Sequence, residues 1–412
     1  MTKNVVVIGA GIIGLCTALH VRQSGHRVTV VTRDQVGDGA SAVNAGAIAT
    51  AEILPMTGAA TLMNAPKWLF DPLGPLHVRL RQLPSMTPWG LQFLKTAKPS
   101  RRAAAIDALS RLMAPAAADH QTLLREHGLT ELLQQNGGLF VYKSAQARAS
   151  DSAAWAARQA RGIIAHEVDR EEIQTREPAM GDAAHCGYFV PGWSHYRDPQ
   201  ELVISIAEIA RKAGVVIEQG RVISIDRQDD KPSRIELDDG RAISFDDLVI
   251  AAGAWSGELS ANLGDKCPLQ SQRGYNTTLP RPGVDLNTFV TFSEDHFVAS
   301  PMAMGLRIGG AVEFGGLDAE PNFERSRALL KLAGKYLPGL DTTGGTYGDG
   351  HRPSTPDDVP VIGRSPNHSN VYYGFGHGHL GLTYGPTTGR LIAEMIDGKP
   401  SIDLVPYRID RF

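Results

Sequence analysis

The run Val5-Val6-Val7-Ile8-Gly9-Ala10-Gly11-Ile12-Ile13-Gly14 constrains this chain more than any other stretch. Four consecutive β-branched residues predict a strand buried on both faces. The glycines that follow predict a tight turn into a helix over 13–24. Gly9 permits the turn, Gly11 lets a pyrophosphate approach the backbone, and Gly14 lets the helix pack close to the strand. Free amides and the helix dipole at such a start favour bound phosphate. A second strand over 27–31 completes the pattern of a doubly wound α/β fold that holds a dinucleotide.

An acid is expected to close that second strand and bond the ribose. Here the chain reads Thr32, Arg33, Asp34. Thr32 can offer a neutral hydroxyl, and Asp34 can reach the ribose if the loop bends back. Arg33 suits a 2′-phosphate, so this motif alone leaves NADP open.

The chain has 412 residues, enough for two domains around a large core. Its formal net charge is −3 and no long basic run occurs, which argues against nucleic acid as a partner. The three cysteines, Cys16, Cys186 and Cys267, are too far apart for a metal or redox motif, and they fit a reducing, cytoplasmic setting. The N-terminal apolar run is too short for a signal peptide, and nothing approaches the length of a membrane span.

Further along, 36–47 is a loop of small residues against which a flat ring system can lie, with Asn44 as its amide. Residues 51–100 read as irregular with short helical pieces, and the apolar stretch 66–73 reads as core or as a surface for a membrane or partner. Helices are expected over 101–112, 116–127, 145–161, 324–336 and 387–397, with Gly128 ending the second. Asp198-Pro199 starts another, which Gly214 ends. Strands are expected over 138–142, 215–218, 222–226, 235–237 and 242–245, the last two joined at Asp239-Gly240. Residues 247–250 form a strand entering a glycine turn, a parallel neighbour for the first strand. Residues 267–315 alternate as an antiparallel sheet. His20 and His26 bracket the first helix as structural residues.

Two late motifs carry chemistry. Gly374-Phe375-Gly376-His377-Gly378-His379-Leu380-Gly381-Leu382-Thr383 follows a strand and precedes a helix, again offering amides to an anion. Upstream, Gly350-His351-Arg352-Pro353 holds a guanidinium rigidly before proline, which suits a carboxylate.

With these two motifs, Gly9 to Gly14, Ser41-Ala42-Val43-Asn44-Ala45-Gly46 and Val249-Ile250-Ala251-Ala252-Gly253-Ala254-Trp255-Ser256, the chain resembles the FAD-dependent D-amino-acid oxidase and dehydrogenase superfamily. It looks closest to the bacterial D-amino-acid dehydrogenases. The resemblance implies a Rossmann-like FAD domain, 1–85, 195–262 and 345–412, and a substrate domain, 86–194 and 263–344, with an antiparallel sheet and helices. It implies non-covalent FAD, held by Gly9, Gly11, Ile12, Ile13, Gly14, Thr32, Arg33, Ser41, Asn44, Ala45, Gly46, Val222, Ala252, Gly253, Trp255, Gly378, His379, Leu380, Gly381, Leu382 and Thr383. It implies that Arg352 holds a substrate carboxylate, that Tyr275 and His379 face the substrate, and that hydride passes from Cα to flavin N5. His379 stands where relatives often carry a small residue or threonine, which points to a compact polar substrate such as D-proline or hydroxy-D-proline. Glycine or sarcosine oxidation is the alternative, an NADP-linked reductase a third, and a non-catalytic flavoprotein subunit a fourth. A quinone or respiratory-chain acceptor, with peripheral membrane contact, would suit a dehydrogenase of this type.

Overall fold

The computed structural model describes residues 1–57 and 73–412, so most of the 66–73 stretch lies outside the described residues. The glycine-rich opening folds as its pattern requires. Asn4–Ile8 is a strand and Ile12–Gln23 a helix. Val5 to Ile8 are all buried, without alternation, because both faces of their sheet are covered. That sheet runs Val216–Gln219, Arg27–Thr32, Asn4–Ile8, Asp247–Ile250, Val371–Phe375, Val361–Arg364. The first five strands are parallel and the last is antiparallel. Val5 is level with Val28 on one side and Asp247 on the other, so residues 242 apart in sequence share one rung.

One face carries the helices Ile12–Gln23, Pro199–Lys212 and Gly381–Ile396. The first and last touch backbone to backbone, since a Cβ on Gly389 would stand 2.5 Å from the carbonyl carbon of Cys16. Cys16 is itself a fully buried core residue. The other face is covered by an antiparallel meander, Val222–Gln228, Lys231–Leu237 and Ala242–Ser244, whose Ile235 and Leu237 pack with Val6 and Ile8.

The second large sheet runs Thr346–Ser354, Gln270–Leu279, Gly305–Phe314, Phe297–Met302, Phe289–Phe292, Gly138–Tyr142, Cys186–Val190, His166–Val168, with Leu76–Val78 beside the end of Gly305–Phe314. The glycine-lined cavity lies between the two sheets. The chain is thus an α/β protein with a Rossmann-like sheet beside a mixed, largely antiparallel one.

Four expectations need correction. Leu83–Thr96 is one 14-residue helix rather than irregular chain, despite Pro88 within it. Its Trp89 stacks on Phe93, meets Phe314 at 5.2 Å and donates Nε1–H to the Ser354 carbonyl at 3.2 Å, so tertiary packing outweighs the proline. The helix expected over 145–161 breaks into Ala145–Ser150 and Ser152–Gln159, because Tyr142 Oη holds the intervening Asp151 carboxylate at 2.6 Å. The last helix begins at Gly381, six residues before the expected start, and runs through Pro386. Thr346–Ser354 pairs with Gln270–Leu279 in the second sheet, so the expected boundary at 345 leaves this strand on the wrong side.

Candidate functional site

The cavity has a volume of about 1010 Å³ and runs from the first glycine turn to Arg352 and His379. Its phosphate end is built by exclusion. Gly9 has φ +115°, and a Cβ there would meet the Ala251 carbonyl oxygen at 2.3 Å. A Cβ on Gly14 would stand 1.9 Å from the Gly9 carbonyl oxygen, which fixes how closely the helix approaches the turn. Ser41 Oγ accepts the Ile12 amide at 3.2 Å, so the helix start meets the 36–47 loop directly. Ile12 and Ile13 line the cavity, whereas Gly14 acts from behind through packing.

Thr32, Arg33, Val222, Ala252, Gly253 and Trp255 also line this end. Thr32 donates its hydroxyl to the Asp34 carbonyl at 3.0 Å. The Arg33 guanidinium lies 4.3 Å from the Trp255 ring and pairs with Asp34 at 2.7 Å. Arg33 is therefore occupied by neighbours rather than presented to a 2′-phosphate.

The middle of the cavity is shaped by a loop that folds on itself. Asn44 donates Nδ2–H to the Ser41 carbonyl and accepts the Gly46 amide, both at 2.7 Å. Asn276 and Arg307 of the second sheet grip the Val43 and Asn44 carbonyls at 2.8 and 2.6 Å. Asn44 and Ala45 line the cavity; Gly46, with φ +77°, is pressed against the Tyr196 carbonyl behind it.

Opposite, Gly378, His379, Gly381 and Leu382 line the cavity, whereas Leu380 and Thr383 are buried beneath them. Thr383 Oγ1 accepts the Ala49 amide at 3.1 Å and donates to the Ala47 carbonyl, tying the helix start to the loop strand. Pro386 has no N–H for the Leu382 carbonyl four residues earlier. His120 Nε2 supplies the missing donor at 2.9 Å, and its Nδ1 faces Tyr196 Oη at 2.8 Å. Burial pushes the His120 pKa down to about 4, so it stays neutral and can serve as donor at one nitrogen and acceptor at the other.

At the far end, Arg352 lies across the strand Gln270–Leu279. A Cβ on Gly274 would stand 2.2 Å from its Nη2, so only glycine leaves room for this guanidinium. Its Nη1 donates to the Ala311 carbonyl at 3.2 Å, and among the described residues it has no carboxylate partner. Burial lowers its pKa to about 10, which still leaves a cation at neutral pH. His379 is exposed to the cavity but lies deep in the protein. Burial lowers its pKa; Glu52 opposes that shift and Arg352 adds to it. Tyr275 sits differently from the expectation. Its hydroxyl donates to Glu313 and accepts the Asn322 amide at 3.0 Å, and its ring is 1% exposed in the second core. That hydroxyl is not available to a substrate in this arrangement.

A family model described as FAD dependent oxidoreductase matches residues 4–395. The chain belongs to the FAD dependent oxidoreductase family. The flavoenzyme is 32% identical over 418 residues to a D-amino-acid oxidase of Bradyrhizobium diazoefficiens, covering 100% of this chain and 99% of that one. It is 31% identical to a D-amino acid dehydrogenase of Dechloromonas aromatica, covering 96% and 97%. A crystal structure of glycine oxidase from Geobacillus kaustophilus shares the fold, with TM-score 0.76 at 21% identity over 100% of this chain and 99% of that one. The residues present fit FAD. The glycine turn and helix start suit its pyrophosphate, Ala252 to Trp255 with Val222 suit the adenosine side, and Asn44, Ala45 and Leu382 flank space for a planar ring.

Sequence reading missed Glu52, Gly274 and His120. For Glu52 a signal existed, a lone acid inside the apolar run Ala49 to Pro55. For His120 there was none, because its partners lie far away in the chain.

Proposed function

We propose that the flavoenzyme oxidises D-amino acids, including compact cyclic D-imino acids such as D-proline and hydroxy-D-proline. The observation that carries this reading is the Arg352 guanidinium, which lines the cavity at the end remote from the phosphate turn and, among the described residues, has no carboxylate partner. A planar fork without a protein carboxylate is suited to bind one from a substrate, bidentately and out of water. Bound FAD supplies the acceptor for a hydride from Cα. Arg352 would fix the carboxylate, Gly274 leaves the room Arg352 needs, and Met56, Ala311 and Val312 line the cavity with apolar surface. Helix-start amides around Leu382, held by His120 and Thr383, would lend positive potential to this wall of the cavity. The D-amino-acid names of the relatives support the stereochemistry, and His379 beside Arg352 supports a compact substrate with a polar group.

The test is anaerobic. Purified holoenzyme is mixed with D-alanine, D-proline, hydroxy-D-proline, their L-enantiomers, glycine and sarcosine, and bleaching of the visible flavin band is followed. Reduction by D- but not L-enantiomers is expected. Reduction by glycine or sarcosine alone would replace the reading with the amine-oxidase alternative.

Among the described residues no helix is long and apolar enough to cross a membrane. Leu80, Leu83, Leu91 and Leu94 are nevertheless more than half exposed, beside Arg81, Lys95 and Lys98. This supports peripheral contact with an anionic bilayer and a membrane-borne acceptor such as quinone. Sedimentation with anionic but not zwitterionic vesicles is the expected result; recovery in the supernatant with both would overturn it.

A further inference from the structure

We infer that Glu52 sets the charge of the substrate side chain that the cavity admits. The inference rests on the reading of Arg352 as the carboxylate clamp. Glu52 lies between Ala51 and Ile53, which are 0% and 1% exposed, so the chain turns their side chains into the core and that of Glu52 into the cavity. The segment is held from several sides. The Ala49 amide donates to Thr383 Oγ1 at 3.1 Å, Arg158 Nε donates to the Ala51 carbonyl at 2.9 Å, and the Met56 amide donates to Asp358 at 2.7 Å. Glu52 is therefore a fixed wall charge, not a side chain on a loose loop.

Among the described residues the ion-pair partner of Glu52 is Arg158, whose Nη2 stands 3.7 Å away without a hydrogen bond while its Nε donates to the Ala51 carbonyl. A quarter of the Glu52 side chain remains open, against a tenth of that of Arg158. Glu52, His379 and Arg352 line the same cavity, and the charges of Glu52 and Arg352 act on His379 in opposite directions. Of the cavity's other carboxylates, Asp34 is paired with Arg33, Asp38 precedes the short helix Gly39–Ser41, Glu258 lies in the helix Ser256–Asn262, and Asp318 acts on His351.

A substrate held at Arg352 by its carboxylate thus presents its side chain toward His379 and Glu52. A hydroxyl or ammonium group there gains a partner; a second carboxylate meets a negative wall in a poorly hydrated space. The substrate class is D-amino or D-imino acids with neutral donor-bearing or cationic side chains, and dicarboxylic D-amino acids are excluded.

The experiment compares wild type with Glu52→Gln and Glu52→Asp, each checked for bound FAD. Flavin reduction is measured with D-lysine, D-alanine and D-glutamate. Glu52→Gln is expected to raise the D-glutamate to D-alanine ratio of kcat/KM by about tenfold or more and to lower the D-lysine ratio similarly, whereas Glu52→Asp keeps the wild-type order. Unchanged ratios in Glu52→Gln overturn the inference. In parallel, binding of butyrate, glutarate and 4-aminobutyrate is read from perturbation of the flavin spectrum, which needs no oxidation. If the charge order appears and disappears with Glu52 in binding while no D-amino acid reduces the flavin, Glu52 keeps its role and the proposed reaction fails. If D-amino acids reduce the flavin and neither readout depends on Glu52, the reaction stands and this inference falls.

Discussion

Gly274 and Arg352 act as one unit, because the space for the guanidinium is the hydrogen where any other residue has Cβ. Replacing Arg352 with alanine removes the clamp but leaves the phosphate end intact. KM for a D-amino acid should rise by the equivalent of about 2–5 kcal/mol with FAD retained; an unchanged KM would remove Arg352 from the substrate. Gly274→Ala should reproduce much of that loss by pushing the guanidinium aside, again with FAD bound. At this scale the sequence was legible where a residue type encodes a steric fact. Gly9 and Gly14 announce close approaches that no Cβ survives. Arg352 was singled out through its motif and not through its neighbours. Tyr275, named from the resemblance, lines the cavity, but its hydroxyl donates to Glu313. Glu52 was visible as a lone acid, but its place in the cavity depends on Thr383, Arg158 and Asp358, which only folding brings near.

At the scale of elements, the site is set by how closely helices and strands approach. Gly389→Ala would place a methyl group 2.5 Å from the first helix's backbone and force the two helices apart. A loss of about 1–3 kcal/mol in stability, together with weaker FAD retention, is expected from thermal melts and flavin release; unaltered retention would show that the first helix does not transmit the change to the phosphate end. His120 is the second lever. Its removal leaves Tyr196 Oη and the Leu382 carbonyl without their buried partner, at about 1–3 kcal/mol each. His120→Ala should lower Tm and His120→Gln should recover part of it; equal melts for both would separate His120 from the helix start. Element types were readable from periodicity, as in the strand Gly138–Tyr142 and the helix Ala116–His127 ended by left-handed Gly128. Boundaries failed where a distant contact decided them, at Trp89, at Asp151 and at Pro386.

The whole molecule carries several buried neutral histidines, and they fix the sign of its acid response. His120 and His195 are pushed down to about 4 and His377 to about 3, from an ordinary 6.5, chiefly by burial. Once unfolded, each takes up a proton near pH 6.5, whereas in the fold it does not until near 4 or below. Stability is therefore lost as pH falls through that window. Asp358 works the other way: burial raises it to about 7, so the fold binds its proton first and gains from acidification. Three groups outweigh one, and Tm should be several degrees lower at pH 5 than at pH 7. A Tm that rises instead would give Asp358 control. The division into two sheets was foreseeable from where alternation replaces continuous apolar runs. The placement of Thr346–Ser354 was not, because its register, with Gly274 level with Gly350, is set by a strand far away in sequence.

Pro386 also ties its own position to that of His120. A residue with an amide hydrogen at 386 would satisfy the Leu382 carbonyl from within the helix, and only Tyr196 Oη would then depend on His120. With proline there, a residue at 120 that cannot donate leaves a broken bond beside the cavity. The two positions should therefore change together across descendants of a common ancestor, with the histidine arriving before the proline and leaving after it.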